Sequence, residues 1–324
     1  MHRRPSAPSA HAPRQSVAPY DSLAGRTPLE SIGNTPLLRL ARIGSGLSPR
    51  VQVLGKAEWM NPGGSVKDRA ALRMILDGER RGVLGPGRTI IDATSGNTGV
   101  AYAMIAAARG YGVKLFVPAN TEKSVLATMR AYGAELVLTD PAQGMDGATR
   151  EAQRIISASP EDFFFPDQLN NDANWKAHYE GTAAEIWEQT GGRVTHFVAG
   201  VGTGGTLVGT SRRLRELNGD VRIVSVQPAS PLHGLEGLRH LGSSIVPRIY
   251  DPACVDETIE VETEAAQAMV VRLAREEGVF VGVSAGAAVV AALAVAGRLE
   301  SGVVVTGLPE GGRRVVDAQF WEGV

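Results

Sequence analysis

Thr89-Ile90-Ile91-Asp92-Ala93 is a short β-rich run, and Thr94-Ser95-Gly96-Asn97-Thr98-Gly99 follows it directly. A helical pattern then runs from Thr98 to Arg109 and stops at Gly110. Val113 to Val117 is again strand-like and stops at Pro118. A strand, a turn of small residues, a helix and a second strand within thirty residues or so predict a parallel βαβ unit. The order continues outward. Ser124 to Tyr132 reads as a helix stopped by Gly133, Ala134 to Leu138 as a strand, and Gly147 to Ile156 as a helix. Such alternation predicts an α/β fold whose parallel sheet is covered by helices on both faces.

A second series follows. Asn174 to Gln189 reads as one helix ended by Gly191-Gly192, Thr195 to Ala199 as a strand, and Leu207 to Leu217 as a helix. Val221 to Val226 reads as a strand, Pro228 to Pro247 as a long loop, Glu264 to Glu277 and Ala285 to Ala296 as helices, and Val303 to Thr306 as a late strand. The two series predict two domains that divide near Pro160 to Gln168. A ligand between them would meet the loops at the carboxyl ends of both sets of strands.

The chain has 324 residues, 43% hydrophobic and 21% charged, with a formal net charge of -1. That is a globular composition with no basic footprint for nucleic acid. No apolar run is long enough to span a bilayer. The single cysteine, Cys254, excludes an internal disulfide and a cysteine-based metal cluster, and the histidines show no metal spacing. These features favour a reducing, cytoplasmic setting. Residues 1–20 are rich in Pro, Ala, Ser and Arg without an acid, and read as a disordered basic tail. Trp175, Trp187 and Phe163-Phe164-Phe165 read as core, His196 as strand packing, and the other histidines as surface or polar-network residues.

Lys67 stands in Asn61-Pro62-Gly63-Gly64-Ser65-Val66-Lys67-Asp68-Arg69, a glycine-rich loop that enters an apolar-periodic helix. A lysine on such an element is partly desolvated, which lowers its pKa and frees the amine as nucleophile and base. Ser95-Gly96-Asn97-Thr98-Gly99 opens a helix after a strand, where unpaired N–H groups suit a carboxylate or phosphate. A plain capping turn, with Ser or Asn as the cap, is the competing reading. Gly200-Val201-Gly202-Thr203-Gly204-Gly205 matches the dinucleotide fingerprint, but that needs an acid at the end of the next strand, where Gln227-Pro228 stands. The stretch still forms a phosphate cradle, with the Thr203 and Thr206 hydroxyls added. Ser284, in Gly282-Val283-Ser284-Ala285-Gly286, lies at another helix entry. One lysine and two anion cradles are what a pyridoxal phosphate enzyme requires. A neutral Ser284 at the pyridine nitrogen would leave the ring less electrophilic, which favours expulsion of a β-substituent.

Together with Ile32-Gly33-Asn34-Thr35-Pro36-Leu37, Tyr132-Gly133-Ala134-Glu135 and His233-Gly234-Leu235-Glu236-Gly237-Leu238, these motifs resemble the cysteine synthase family of fold-type II pyridoxal phosphate enzymes. The likeness runs from about Asp21 to Thr306. It implies two three-layer α/β domains of the tryptophan synthase β-like architecture with the cofactor in the cleft: 51–165 as the N-terminal domain, 21–50 plus 166–324 as the C-terminal one. It also implies a homodimer. Lys67 would be the Schiff-base lysine, Asn97 would contact the ring hydroxyl, Gly202, Thr203, Gly204, Gly205 and Thr206 would hold the phosphate, and Ser284 the pyridine nitrogen. Thr94, Ser95, Gly96, Thr98 and Gln168 would receive the substrate carboxylate. The implied reaction replaces the β-substituent of O-acetylserine or O-phosphoserine with a sulfur nucleophile, giving L-cysteine. Relatives that use O-phosphoserine carry an arginine at the place of Arg239. The sulfur donor stays open between sulfide, thiosulfate and a carrier-bound thiocarboxylate.

Three departures stand out: Asp172 where the family has proline, Gly181-Thr182-Ala183-Ala184 for Thr-Thr-Gly-Pro, and Pro309-Glu310-Gly311-Gly312-Arg313-Arg314-Val315-Val316, without the usual acid before arginine or the aromatic after it. The alternatives are a cystathionine β-synthase-type condensation of serine with homocysteine and a drifted, non-catalytic binder of the cofactor.

Overall fold

The computed structural model describes residues 25–322. The basic tail expected over 1–20 lies outside them. Two sheets organise the described residues. The smaller has four parallel strands in the order β5-β4-β3-β6: β3 (Thr89–Ala93), β4 (Gly112–Pro118), β5 (Glu135–Thr139) and β6 (Phe163–Phe164). The larger has six, ordered β1-β2-β10-β7-β8-β9: β1 (Leu37–Arg39), β2 (Val51–Ala57), β7 (His196–Gly200), β8 (Arg222–Pro228), β9 (Glu257–Val261) and β10 (Gly302–Leu308). Only β1 runs antiparallel to its neighbour.

Helices cover both sheets, as burial on two faces requires. Around the smaller sheet lie α1 (Lys67–Arg80), α2 (Asn97–Arg109), α3 (Lys123–Ala131) and α4 (Gly144–Ala158). Ile90 packs towards α1 and α2, whereas Ile91 and Ala93 pack towards α4 with Ala148 and Ala152. That is the period-two alternation of a strand between two helical layers. Around the larger sheet lie α5 (Asp172–Ala177), α6 (Ala183–Gln189), α7 (Gly205–Leu217), α8 (Thr263–Arg272) and α9 (Val283–Ala296). The α9 helix is apolar all round because it is buried between α8 and the sheet.

Several expectations need correction. Val51–Ala57, placed by the sequence with the N-terminal unit, pairs in parallel with β10, Val53 opposite Val304. Its apolar run completes the larger sheet. The helix expected over Asn174 to Gln189 is α5, a π turn His178–Thr182, and α6. Glu264 to Glu277 likewise ends in a π turn, Leu273–Glu277. Asp172 is the first residue of α5, where an acid suits the helix dipole, and Asn171 caps the helix by accepting from the Ala173 N–H at 3.0 Å. The departure from proline is thereby accommodated. Trp175 is not core: its half-exposed ring carries the Arg212 guanidinium 4.6 Å from the centroid.

Candidate functional site

The carboxyl ends of β3, β7 and β10 open on one cavity of about 600 Å³. Lys67 lines it from the first residue of α1. The loop before it is shaped by Gly64, at φ +86°, and by Gly63, where a Cβ would stand 2.4 Å from Asp68 Oδ1. Asp68 accepts the Gly63 N–H at 2.6 Å, and Ser65 Oγ accepts the Lys67 N–H at 3.2 Å. Burial draws the Lys67 amine down from its ordinary pKa, with the Glu310 carboxylate opposing. The amine is therefore more readily neutral, and so more nucleophilic, than a surface lysine.

A buried ion cluster sets α1 in place. Arg69 donates to Glu58 (Nε–Oε2 2.7 Å, Nη2–Oε1 2.9 Å) and to Glu185 (Nη1–Oε1 2.6 Å, Nη2–Oε2 2.7 Å). Fully buried Lys56 adds an ion pair to Glu185 at 2.7 Å. These pairs link α1 to the entry of the larger sheet and to α6, so that Lys67 is positioned by both units.

The turn between β3 and α2 settles the question of a cap. Gly96 is the N-cap, with no side-chain capping bond, so neither Ser95 nor Asn97 is used up as a cap. Instead, Asn97 Nδ2 donates to Glu310 Oε2 at 2.5 Å, and Thr98 Oγ1 donates to Gln168 Oε1 at 2.9 Å. Thr94, Ser95, Gly96, Thr98 and Gln168 all line the cavity. Gly99 is tightly packed, since a Cβ there would stand 2.7 Å from Cγ2 of β-branched Thr94 and 2.5 Å from Met129 Cε.

The glycines of the turn between β7 and α7 are each required. Gly204 is the N-cap in the left-handed region, φ +86°. A Cβ on Gly202 would stand 2.3 Å from the Gly237 carbonyl oxygen, and one on Gly205 2.0 Å from Asn174 Oδ1. Asn174 Nδ2 donates to Thr203 Oγ1 at 3.1 Å, and Thr206 Oγ1 lies 3.3 Å from Nε2 of buried His178. His178 is thus a polar-network residue. Its pKa is pushed down to about 3 by burial and by Arg69, so it is neutral. The Gly205 N–H donates to Thr203 Oγ1 at 3.3 Å, and the N–H groups of the first turn together with these hydroxyls could receive an anion. Gln227, at the end of β8, accepts from the Leu241 N–H and offers no acid for a ribose.

Ser284 is the second residue of α9, buried, and its Oγ donates to Glu310 Oε1 at 3.4 Å. Arg239 lines the cavity half-buried, and among the described residues no side-chain hydrogen bond or ion pair is shown for it. Burial draws its pKa down, with Asp146 opposing. All of the expected site residues line or border this one cavity.

Three groups were given no role by the sequence reading, although Glu310 and Arg314 lie in the segment it marked as a departure. Glu310 lies between Asn97 and Ser284. Arg314 pairs with Glu236 (2.6 Å), Glu122 (3.6 Å) and Glu310 (3.8 Å). Asp92 is buried in the wall with Oδ2 unpartnered, and burial raises it to about 7, with the Ala93 N–H and Tyr102 opposing. Glu310 meets Asn97 and Ser284, and Arg314 meets Glu122 and Glu236, across separations that no local spacing signals.

The residues fit pyridoxal phosphate: a desolvated amine, a cradle whose glycines leave no room for side chains, and polar groups on two walls of the slot. The pyridoxal-phosphate dependent enzyme family matches residues 29–310. A cysteine synthase of Aquifex aeolicus is 48% identical over 296 residues, covering 90% of each chain. Cysteine synthase B of Escherichia coli is 45% identical, over 88% of this chain and 92% of that one. A crystal structure of cysteine synthase from Entamoeba histolytica superposes with a TM-score of 0.89 at 34% identity, covering 95% of this chain and 94% of the other. The chain belongs to the pyridoxal-phosphate dependent enzymes, in their cysteine synthase branch.

Proposed function

We propose that the protein makes L-cysteine by replacing the β-substituent of an activated serine with a sulfur nucleophile. One observation carries this reading: the Lys67 amine, desolvated, opens on the same cavity as the β3–α2 and β7–α7 turns. Bound pyridoxal phosphate supplies an electron-withdrawing ring that stabilises charge at the substrate α-carbon. Gly202, Thr203, Gly204, Gly205 and Thr206 hold its phosphate through backbone N–H groups and hydroxyls. Asn97 and Ser284, both in the cavity lining, would hold the ring through its hydroxyl and its nitrogen. Lys67 would hold the cofactor through its amine, and Lys67 Nζ, lowered in pKa by burial, would accept the substrate α-proton. Thr94, Ser95, Gly96, Thr98 and Gln168 orient the substrate carboxylate, which aligns the α C–H bond with that amine.

The leaving group is acetate or phosphate. Arg239 in the cavity wall, for which no side-chain partner is seen among the described residues, favours phosphate, since a guanidinium binds it through two parallel hydrogen bonds. A homodimer, a cytoplasmic setting, and small-molecule donors of serine and sulfur belong to the same reading. So does a division into one domain around each sheet. Among the described residues no helix is long and apolar enough to cross a membrane. The test is spectroscopic and chemical. Purified protein loaded with pyridoxal phosphate is expected to absorb in the visible range, to change colour with O-acetylserine or O-phosphoserine, and to release cysteine when sulfide follows. Colourless protein that stays so after loading overturns the reading.

A further inference from the structure

Asn174, on α5, is only 2% exposed and stands outside the cavity lining. Its amide nevertheless touches two residues that line it. Nδ2 donates to the backbone carbonyl of Gln168 at 2.7 Å and to Thr203 Oγ1 at 3.1 Å. The Gln168 side chain in turn accepts from Thr98 Oγ1 at 2.9 Å. One buried amide thus joins the wall at the β3–α2 turn to the cradle at the β7–α7 turn. The amide is closely housed, since a Cβ on Gly205 would stand 2.0 Å from its Oδ1. Its helix is capped by Asn171 and approaches α7 at Gly209.

A carbonyl oxygen only accepts, so the Asn174 atom 2.7 Å from it is the nitrogen. An amide nitrogen only donates. Thr203 Oγ1 must therefore accept from Asn174, and the Gly205 N–H is aimed at the same oxygen at 3.3 Å. A hydroxyl has two lone pairs and one proton. With its lone pairs engaged, the Thr203 proton is left for a third partner, and Thr203 lines the cavity. We propose that Asn174 is a positioning residue for both anion seats of the site. It presents the Thr203 hydroxyl as a donor to the cofactor phosphate, and it fixes the Gln168 backbone beside the substrate carboxylate. This rests on the reading of Thr203 and Gln168 given above. A donor oriented before the anion arrives needs no reorganisation when it binds.

The test uses the full chain, freed of cofactor and titrated with pyridoxal phosphate and, separately, with pyridoxal, which lacks the phosphate. Asn174→Ala is expected to weaken pyridoxal phosphate about tenfold to a hundredfold, the worth of a hydrogen bond to a charged group, and to leave pyridoxal unchanged. Once saturated with pyridoxal phosphate, the variant is expected to show a raised KM for O-acetylserine or O-phosphoserine with little change in kcat. Thr203→Val is expected to weaken the cofactor without that rise in KM. Asn174→Asp, equal in size and unable to donate as a carboxylate, carries the same expectations if the Ala variant fails to fold. Equal losses with and without the phosphate, wild-type affinity for pyridoxal phosphate, or an unchanged KM overturns the inference and leaves the proposed function intact. Wild-type protein that takes up no pyridoxal phosphate, or acts on neither serine, overturns both.

Discussion

Nη1 and Nη2 of Arg69 meet Oε1 and Oε2 of Glu185 at 2.6 and 2.7 Å, and the same guanidinium holds Glu58. The helix that begins at Lys67 is thereby anchored two residues further on. Removing one partner of such a buried cluster leaves uncompensated charges. Arg69→Met is expected to cost about 3–5 kcal/mol of stability, measured as a shift of the urea midpoint. A variant as stable as wild type would show that the cluster is not an anchor. Burial pushes the Glu185 carboxyl up, but Arg69 and Lys56 outweigh it and hold it at about 2. A carboxylate held low contributes stability above its unfolded pKa, and loses it as pH falls towards about 2. Acid unfolding below the ordinary carboxylate range should therefore weaken in Glu185→Gln.

Lys67→Ala, freed of bound amino acid, should lose the visible absorption of the loaded protein. In wild type, burial lowers the pKa of this amine. The rate of cofactor capture should then rise with pH through a midpoint below 10.5, the value for an ordinary lysine. Stopped-flow absorbance across pH checks the direction, and a midpoint at or above that value contradicts it.

Gly202→Ala places a Cβ 2.3 Å from a backbone oxygen that has no rotamer with which to move away. Overpacking of this kind costs about 1–3 kcal/mol. Cofactor retention on dialysis should drop by roughly the matching factor of ten to a hundred. Gly219→Ala is the control, since nothing lies within 4 Å of a Cβ there and Gly219 does not line the cavity.

If Arg239 reads a phosphate leaving group, Arg239→Ala should lower kcat/KM for O-phosphoserine by about tenfold to a hundredfold, the worth of a charge-assisted hydrogen bond. O-Acetylserine turnover should stay near wild type. Equal losses for both donors would remove Arg239 from the reading of phosphate.

Asp92 is raised to about 7 by burial. An acid whose folded pKa lies above its unfolded one loses stability as pH rises through the folded value. Asp92→Asn should therefore raise the melting temperature at pH above 7 and change it little in mild acid. Calorimetry at two pH values reads the difference, and equal effects at both would refute it.

Local chemistry made much of this protein readable. β3 spans Thr89–Ala93, the run opened by β-branched Thr89, Ile90 and Ile91, and Gly110 closes α2 at φ +80° as a helix stop should. The small-residue turns were readable as helix entries that line a cleft, because glycine there permits a close approach of the backbone. The helix over Asn174 to Gln189 was readable as one element, but its π turn was not. Such a turn depends on neighbours: at Gly209 a Cβ would stand 2.0 Å from the Trp175 carbonyl oxygen.

Periodicity, caps and glycine placement are properties of neighbouring residues. The amino-acid order was therefore enough to establish the α/β alternation, the cleft-lining turns and Lys67. Sheet order and charge pairing join residues far apart in the chain. Folding alone put β10, last in sequence, between β2 and β7. It thereby brought Glu310 to Asn97 and Ser284, across separations of 213 and 26 residues. No local pattern encodes such a meeting, because it arises from how the buried surfaces of the two sheets pack.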